Sequence, residues 1–227
     1  MTAPILVFDL DVTLVHTAPD LLDSLNHCLA LEGIAPSEPE GFLSFVGQGS
    51  RVMIERAFKA RRIPLEAERL DLLQAAFLEH YVASMPGRSA LYPGVQRVLD
   101  QFSGAGFLLA VCTNKLESMS FQLLERLGAA AKFAAICGGD TFAHRKPDPR
   151  HLTDTIKKAG GDPSKSIMFG DSRADIDAAK SAGIPVVAVD FGYSDRAVRE
   201  LGPSRVISHY DEVTLDLVDR LLRAAAA

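Results

Sequence analysis

Ile5-Leu6-Val7-Phe8-Asp9-Leu10-Asp11-Val12-Thr13 is an apolar run that ends in two carboxylates one residue apart. The run carries no polar alternation, so it reads as a strand covered on both faces. In open parallel sheets the ligand crevice lies outside the carboxyl ends of such strands. Asp9 and Asp11 therefore stand where chemistry is expected, and two acids so close call for a cation, a shared proton or both.

Beyond this strand, Thr17-Ala18-Pro19-Asp20 has the spacing of a helix N-cap with its acidic third residue, and Leu21, Leu22, Leu25, Cys28 and Leu29 follow at helical spacing. The pattern predicts a helix over about 18–32. Residues 38–84 hold more helical pattern and no convincing strand: Val52, Ile54, Ala57 and Phe58 in one segment, Leu70, Leu73, Ala76, Phe77 and Val82 in the next. Pro86-Gly87 and Tyr92-Pro93-Gly94 punctuate the return. Short apolar runs then alternate with amphipathic helices: Leu108 to Cys112, Phe133 to Cys137, Ser166 to Phe169 and Pro185 to Val189. That alternation predicts an α/β fold, a Rossmann-like parallel sheet with helices on both faces, plus a small all-helical insert. The expected division is a core of residues 1–15 and 86–227 and a helical cap of residues 16–85. Parallel strands all end on one side, so the polar residues after each run should gather with Asp9 and Asp11 at one edge.

The chain has 227 residues, a formal net charge of −5 and no basic block, which speaks against nucleic acid or an anionic membrane as partner. Cys28, Cys112 and Cys137 are odd in number and lack paired short spacing, so neither a disulfide framework nor a zinc site is expected. No apolar stretch is long enough to span a bilayer, and the start of the chain has no basic leader pattern. A soluble cytoplasmic protein is expected, monomer or homodimer.

Four pieces stand out in order: Asp9-x-Asp11-x-Thr13, Thr113-Asn114, Lys146-Pro147-Asp148-Pro149 and Gly170-Asp171-Ser172-x-x-Asp175. In this order and strand context the chain resembles the haloacid dehalogenase-like superfamily of phosphotransferases, over nearly its whole length. The helical insert looks like the small cap of the subgroup containing phosphoglycolate phosphatase and β-phosphoglucomutase. Cys112-Thr113-Asn114-Lys115, Gly138-Gly139-Asp140-Thr141 and Arg145-Lys146-Pro147-Asp148-Pro149 look most like the phosphoglycolate phosphatases.

The resemblance implies Mg²⁺-dependent hydrolysis of a small phosphorylated metabolite, best matched by 2-phosphoglycolate, through an aspartyl phosphate. It makes Asp9 the nucleophile and Asp11 the acid and base, with the Asp11 backbone carbonyl on the metal. Asp9 and Asp171 are the implied carboxylate ligands. Lys146 would neutralise phosphate and Asp9, with Pro147 holding it in extended backbone. Thr113 and Asn114 would bind phosphate oxygens, and Asp175 would orient the metal's waters or Lys146 from a second shell. The residue types suit the task, because a carboxylate attacking an anion needs its charge neutralised by a hard, oxygen-bound cation. Phosphate monoester hydrolysis asks for acceleration of up to ~10²¹, more than one side chain supplies.

Blander readings stand beside these roles. Thr113 could cap the next helix, Asp171 could be an N-cap, and Asp175 a solvated first-turn acid. In Phe45-Val46-Gly47-Gln48-Gly49-Ser50-Arg51, Gly47 and Gly49 could be a turn with Ser50 as N-cap, or the loop could cover the site with Gly49 against substrate and Arg51 forking a carboxylate. His16 and His144 lie near motifs but show no ligand spacing. Two departures flank the nucleophile: Val12 stands where the resembled motif has Gly or Asn, and His16 where it has an acid. Val disfavours positive φ, so either this backbone is not left-handed or the loop is strained. Rival readings are a phosphomutase or other sugar-phosphate phosphatase, and a catalytically weak binding or regulatory relative. A haloalkanoate dehalogenase has no need of Asp11, and a receiver domain would carry its acids in another order.

Overall fold

The computed structural model describes residues 2–39, 49–192 and 196–225. Its centre is β1 (Ile5–Phe8), every residue of which is buried. Ile5 and Val7 point into one apolar layer, with Leu152 and Ile156 of α6 (Pro149–Lys158) and Ile176 and Ala179 of α7 (Arg173–Ser181). Leu6 and Phe8 point into the other, with Val98 and Phe102 of α4 (Val95–Gly104), Leu123 of α5 (Glu117–Arg126) and Val218 of α8 (Leu215–Ala225). Both faces are covered, which is why the run lacks alternation.

Six strands form one parallel sheet in the order β5-β4-β1-β6-β7-β8, with β4 at Leu108–Cys112, β5 at Ala135–Cys137, β6 at Ser166–Gly170, β7 at Val186–Val189 and β8 at Arg205–Ile207. Register sets Phe8 between Val111 and Phe169. The chain steps outward from β1 through β4 to β5, then returns to the opposite side of β1 at β6. This is the reversal of strand order at which open α/β sheets place their ligands. The Rossmann-like α/β fold with helices on both faces is as the sequence pattern predicts.

Between β1 and β4, α1 (Ala18–Leu31), α2 (Ser50–Ala60) and α3 (Ala67–Ser84) pack on one another, and Leu25, Ile54, Leu73 and Phe77 are buried among them. The chain leaves and re-enters through a two-stranded antiparallel ribbon, β2 (Val15–His16) with β3 (Ala90–Leu91). The sequence reading missed β2, β3 and β8, which are two or three residues long and partly exposed.

At the start of α1 the expected capping arrangement is absent. Thr17 is the N-cap residue but makes no side-chain cap bond, and its buried hydroxyl has no hydrogen-bond partner. Asp20 turns away from the helix to the returning chain, accepting from the Arg88 amide at 2.7 Å, the Ser89 amide at 3.1 Å and the Ser89 hydroxyl at 2.5 Å. Three hydrogen bonds to one side chain tie exit to re-entry more strongly than one cap bond could.

The turn after β1 answers the question posed by Val12. Its φ is 63°, in the left-handed region, and its side chain is buried. The conformation is held by the Val12 amide on the Val15 carbonyl at 2.8 Å and by the Leu14 and Val15 amides on the Leu10 carbonyl. A β-branched residue there is strained by roughly 1–3 kcal/mol, which apolar burial of about the same size offsets.

Replacing Val12 by Ala keeps most of the backbone cost, while Gly removes it. Val12→Gly should therefore be more stable than Val12→Ala by about 1 kcal/mol in chemical denaturation, reversing the usual order of these residues. An Ala variant as stable as the Gly variant would contradict a left-handed Val12.

Candidate active site

Asp9 follows β1 directly, its amide donating to the Phe169 carbonyl at 2.8 Å, so the strand ladder itself sets the direction of this residue. Asp171 follows β6, and Ser172 starts α7. The expectation that Asp171 might cap that helix is replaced by a capping box: Ser172 accepts from the Asp175 amide, and its own amide and hydroxyl donate to Asp175 Oδ2 at 3.0 and 2.6 Å. Asp175 is fully buried rather than a solvated first-turn acid. Gly170 makes room for it, since a Cβ at that position would fall 2.4 Å from the Asp175 Cβ.

Lys146 joins these pieces. Its Nζ donates to Asp9 Oδ1 at 2.7 Å and to Asp175 Oδ1 at 2.6 Å, and its side chain is only 3% exposed. The sequence reading put Lys146 in extended backbone rather than in a helix; it lies outside any helix, in a turn closed by the Asp148 amide on the Arg145 carbonyl, across a cis Lys146–Pro147 bond. Asp148 is the N-cap of α6, as expected, accepting from the Arg150 amide. Sequence reasoning missed His151, which holds the lysine's backbone. Its Nδ1 lies 3.2 Å from the Lys146 amide and its Nε2 3.1 Å from the Gly138 carbonyl, an arrangement that a neutral ring with the proton on Nε2 satisfies. Burial, reinforced by the Lys146 charge, lowers its pKa to about 4 and keeps it in that form.

Thr113 is buried beyond β4, its amide on the Cys137 carbonyl and its hydroxyl accepting from the Lys115 amide at 3.3 Å. It does not cap α5, whose N-cap residue is Leu116. Asn114 donates from its side-chain nitrogen to the Lys146 carbonyl at 3.0 Å, while its buried Oδ1 has no hydrogen-bond partner among the described residues. Asp11 is met by a residue to which the sequence reading gave no role: Lys115 Nζ lies 3.1 and 3.4 Å from its two oxygens. Thr13 was quoted in the motif without a role, and its hydroxyl donates to Asp171 Oδ1 at 3.2 Å.

Gly49 and Arg51 make none of their described contacts with this cluster. Gly49, with φ of 93°, is the N-cap of α2, a place expected for Ser50, which is instead the first helical residue. Arg51 on α2 pairs with Asp71 and Gln74 on α3 and is half-exposed; none of its described contacts is with the acids or with Lys146. Phe45, Val46, Gly47 and Gln48 lie outside the described residues. His16 packs against the Tyr92 ring, and His144 pairs with Asp154.

Electrostatically the cluster is short of positive charge. Asp9, Asp171 and Asp175 offer carboxylate oxygens within 4.8 Å of one another, all buried, and share one ammonium. Burial raises the Asp9 pKa to about 6; Lys146 opposes the rise, while Asp175 and Asp11 add to it. Burial, then Asp175 and Asp9, pushes Asp171 well above the carboxylate range. For Lys146, burial works against the charge, but Asp175 and Asp9 outweigh it and hold the ammonium firmly protonated. Lys115 behaves alike, with Asp11 and then Tyr81 overcoming burial. Both Asp175 oxygens are engaged, whereas no hydrogen bond among the described residues reaches the second oxygen of Asp9 or Asp171. An all-oxygen, negatively charged, partly unpartnered donor set fits a hard divalent cation.

Residues 6–189 match the family described as haloacid dehalogenase-like hydrolase. The chain belongs to that family. It is 58% identical, over 99% of both chains, to a protein of Mesorhizobium japonicum named phosphoglycolate phosphatase. A protein of Agrobacterium fabrum with the same name is 50% identical over 99% of this chain and 97% of its own. A crystal structure described as a predicted phosphoglycolate phosphatase from Haemophilus somnus superposes with a TM-score of 0.86 at 28% identity, over 93% of this chain and 96% of that one. β-Phosphoglucomutase from Clostridium difficile shares the fold, with a TM-score of 0.80 at 17% identity over 99% of each chain. This haloacid dehalogenase-like hydrolase carries a capped architecture in keeping with such neighbours.

The raised carboxylate pKa values mean that the metal-free native state binds protons more tightly than the unfolded chain, so these groups cost stability as pH rises from about 4 through 6. Magnesium should therefore raise the melting temperature by several degrees at pH 7.5 and by much less at pH 5, where protons occupy the same oxygens. Asp171→Asn should raise the metal-free melting temperature at pH 7.5 and cancel the magnesium shift. An equal shift at both pH values, or one retained in the variant, would count against the site.

Proposed function

We propose that the chain is a phosphatase that hydrolyses 2-phosphoglycolate to glycolate and phosphate in the cytoplasm, by way of an acyl phosphate on Asp9. The observation that carries the chemistry is the buried ammonium of Lys146, 2.7 Å from a carboxylate at the tip of the central strand and beside a second acid, Asp171. The substrate rests on relatives named phosphoglycolate phosphatase at 58% and 50% identity. We take residues 16–85 as the cap and 1–15 with 86–227 as the catalytic core.

Asp9, Asp171 and the Asp11 backbone carbonyl are the residues that would hold Mg²⁺, with Asp175 in a second shell. The ion would supply positive charge that lets an anionic nucleophile approach an anionic phosphoryl group.

Asp9 attacks phosphorus as a carboxylate, and a pKa of about 6 leaves it mostly ionised at neutral pH. Lys146 neutralises the charge that Asp9 and the phosphoryl oxygens bring together. Its own position is fixed by Asp175, whose two oxygens are shared between the lysine and Ser172. Thr113 and the backbone around Asn114 are assigned here to donate hydrogen bonds to the phosphoryl oxygens. Asp11 donates a proton to the departing glycolate oxygen, then accepts one from the water that attacks phosphorus and frees Asp9.

Asp9→Asn should lower kcat on 2-phosphoglycolate by at least about 10⁴-fold while the melting temperature holds or rises, because a buried charge is removed. In a panel of phosphorylated metabolites, 2-phosphoglycolate should have the highest kcat/KM, and chelation of divalent ions should abolish turnover. Residual Asp9→Asn activity within about 100-fold of wild type would overturn the mechanism, and a poor rank for 2-phosphoglycolate would overturn the substrate alone.

A further inference from the structure

Lys115, on the turn after β4, reaches two other parts of the fold, the turn after β1 through Asp11 and α3 through Tyr81. Its Nζ lies 3.1 and 3.4 Å from the oxygens of Asp11, on the turn after β1. It also sits 4.1 Å from the centre of the Tyr81 ring, on α3 between β1 and β4. Only 7% of the lysine side chain is exposed. An ammonium has three donors, and its described partners are Asp11 and Tyr81, through the ring face and the hydroxyl. Next to it, the buried Tyr81 hydroxyl interacts with Lys115, and its own O–H meets no acceptor among the described residues. A buried ammonium beside a phenol with an unused O–H is suited to receive an anion.

We infer that Lys115, with Tyr81 beside it, binds the carboxylate of the substrate's leaving group and so determines specificity for an acidic phosphate ester. This rests on the phosphatase reading above. In 2-phosphoglycolate the carboxyl carbon is two bonds from the ester oxygen. An Asp11 that hydrogen-bonds that oxygen therefore has the carboxylate beside it, on the lysine that already touches Asp11. Lys115 makes a charge-assisted contact that a neutral leaving group cannot return. Arg51, the other cation considered for this purpose, is engaged with Asp71 and Gln74 on the cap.

The test compares 2-phosphoglycolate with 2-hydroxyethyl phosphate, which has the same chain length and no carboxylate, on wild type, Lys115→Gln and Lys115→Arg with magnesium present. Wild type should favour 2-phosphoglycolate in kcat/KM. Lys115→Gln should lose about 10- to 100-fold more in kcat/KM on 2-phosphoglycolate than on 2-hydroxyethyl phosphate, the excess mostly in KM, whatever loss both share through Asp11. Lys115→Arg should recover part of the preference. The ratio of the two substrates is taken on one preparation, so it is unaffected by the fraction of variant that folds. Equal losses on both substrates, or a wild-type preference that survives in Lys115→Gln, overturn the inference and leave the phosphatase reading intact. A wild type that does not distinguish the two substrates overturns the substrate reading and this inference with it.

Discussion

One ammonium, Lys146 Nζ, bridges Asp9 and Asp175 inside the apolar interior, and the rest of the site is arranged around that bridge. It joins the tip of the central strand, the turn before α6 and the first turn of α7. Removing the lysine would leave Asp9 and Asp175 buried without their cation, which costs several kcal/mol. Neighbouring choices follow from it. Gly170 must lack a side chain because Asp175 packs against it, and His151 must stay neutral because it accepts the Lys146 amide at Nδ1.

The bridge does not balance the charge it gathers. With Asp171 alongside, three buried acids share one lysine, and burial pushes both Asp9 and Asp171 above their ordinary pKa values. A protein selected for stability alone would have no reason to keep this cluster, because buried acids without matching cations are a net cost. Val12 is a second cost in the same turn, held left-handed by a tight set of amide bonds. Strain and excess charge collect at sites whose ligands relieve them, and here both collect at the tip of β1.

Much of this was legible in the sequence, for identifiable reasons. A strand buried on both faces spells itself as an unbroken apolar run, so β1, β4, β6 and β7 stood out, and the acids at their tips with them. Asp175 was legible as a partner of Lys146 because its four-residue offset from Asp171 fixes it in the first turn of a helix. The contact of Lys115 with Asp11 was not legible: it joins loops 104 residues apart, and nothing local in either marks the other. Asp20 looked like the third residue of a capping box until the returning chain at Arg88 and Ser89 offered it better donors. The pairing of Arg51 with Asp71 depends on how α2 packs against α3, which periodicity alone does not give. β2, β3 and β8 were missed because two or three partly exposed residues carry no pattern.

The central claim is that Asp9 forms a covalent bond to phosphorus. The most direct measurement is rapid acid quench of the enzyme turning over phosphorus-labelled 2-phosphoglycolate, followed by proteolysis and mapping of the label. The account predicts a hydroxylamine-labile phosphate on the peptide containing Asp9, formed and lost fast enough to lie on the reaction path. Label on any other residue, or turnover that passes through no labelled protein at all, would contradict it.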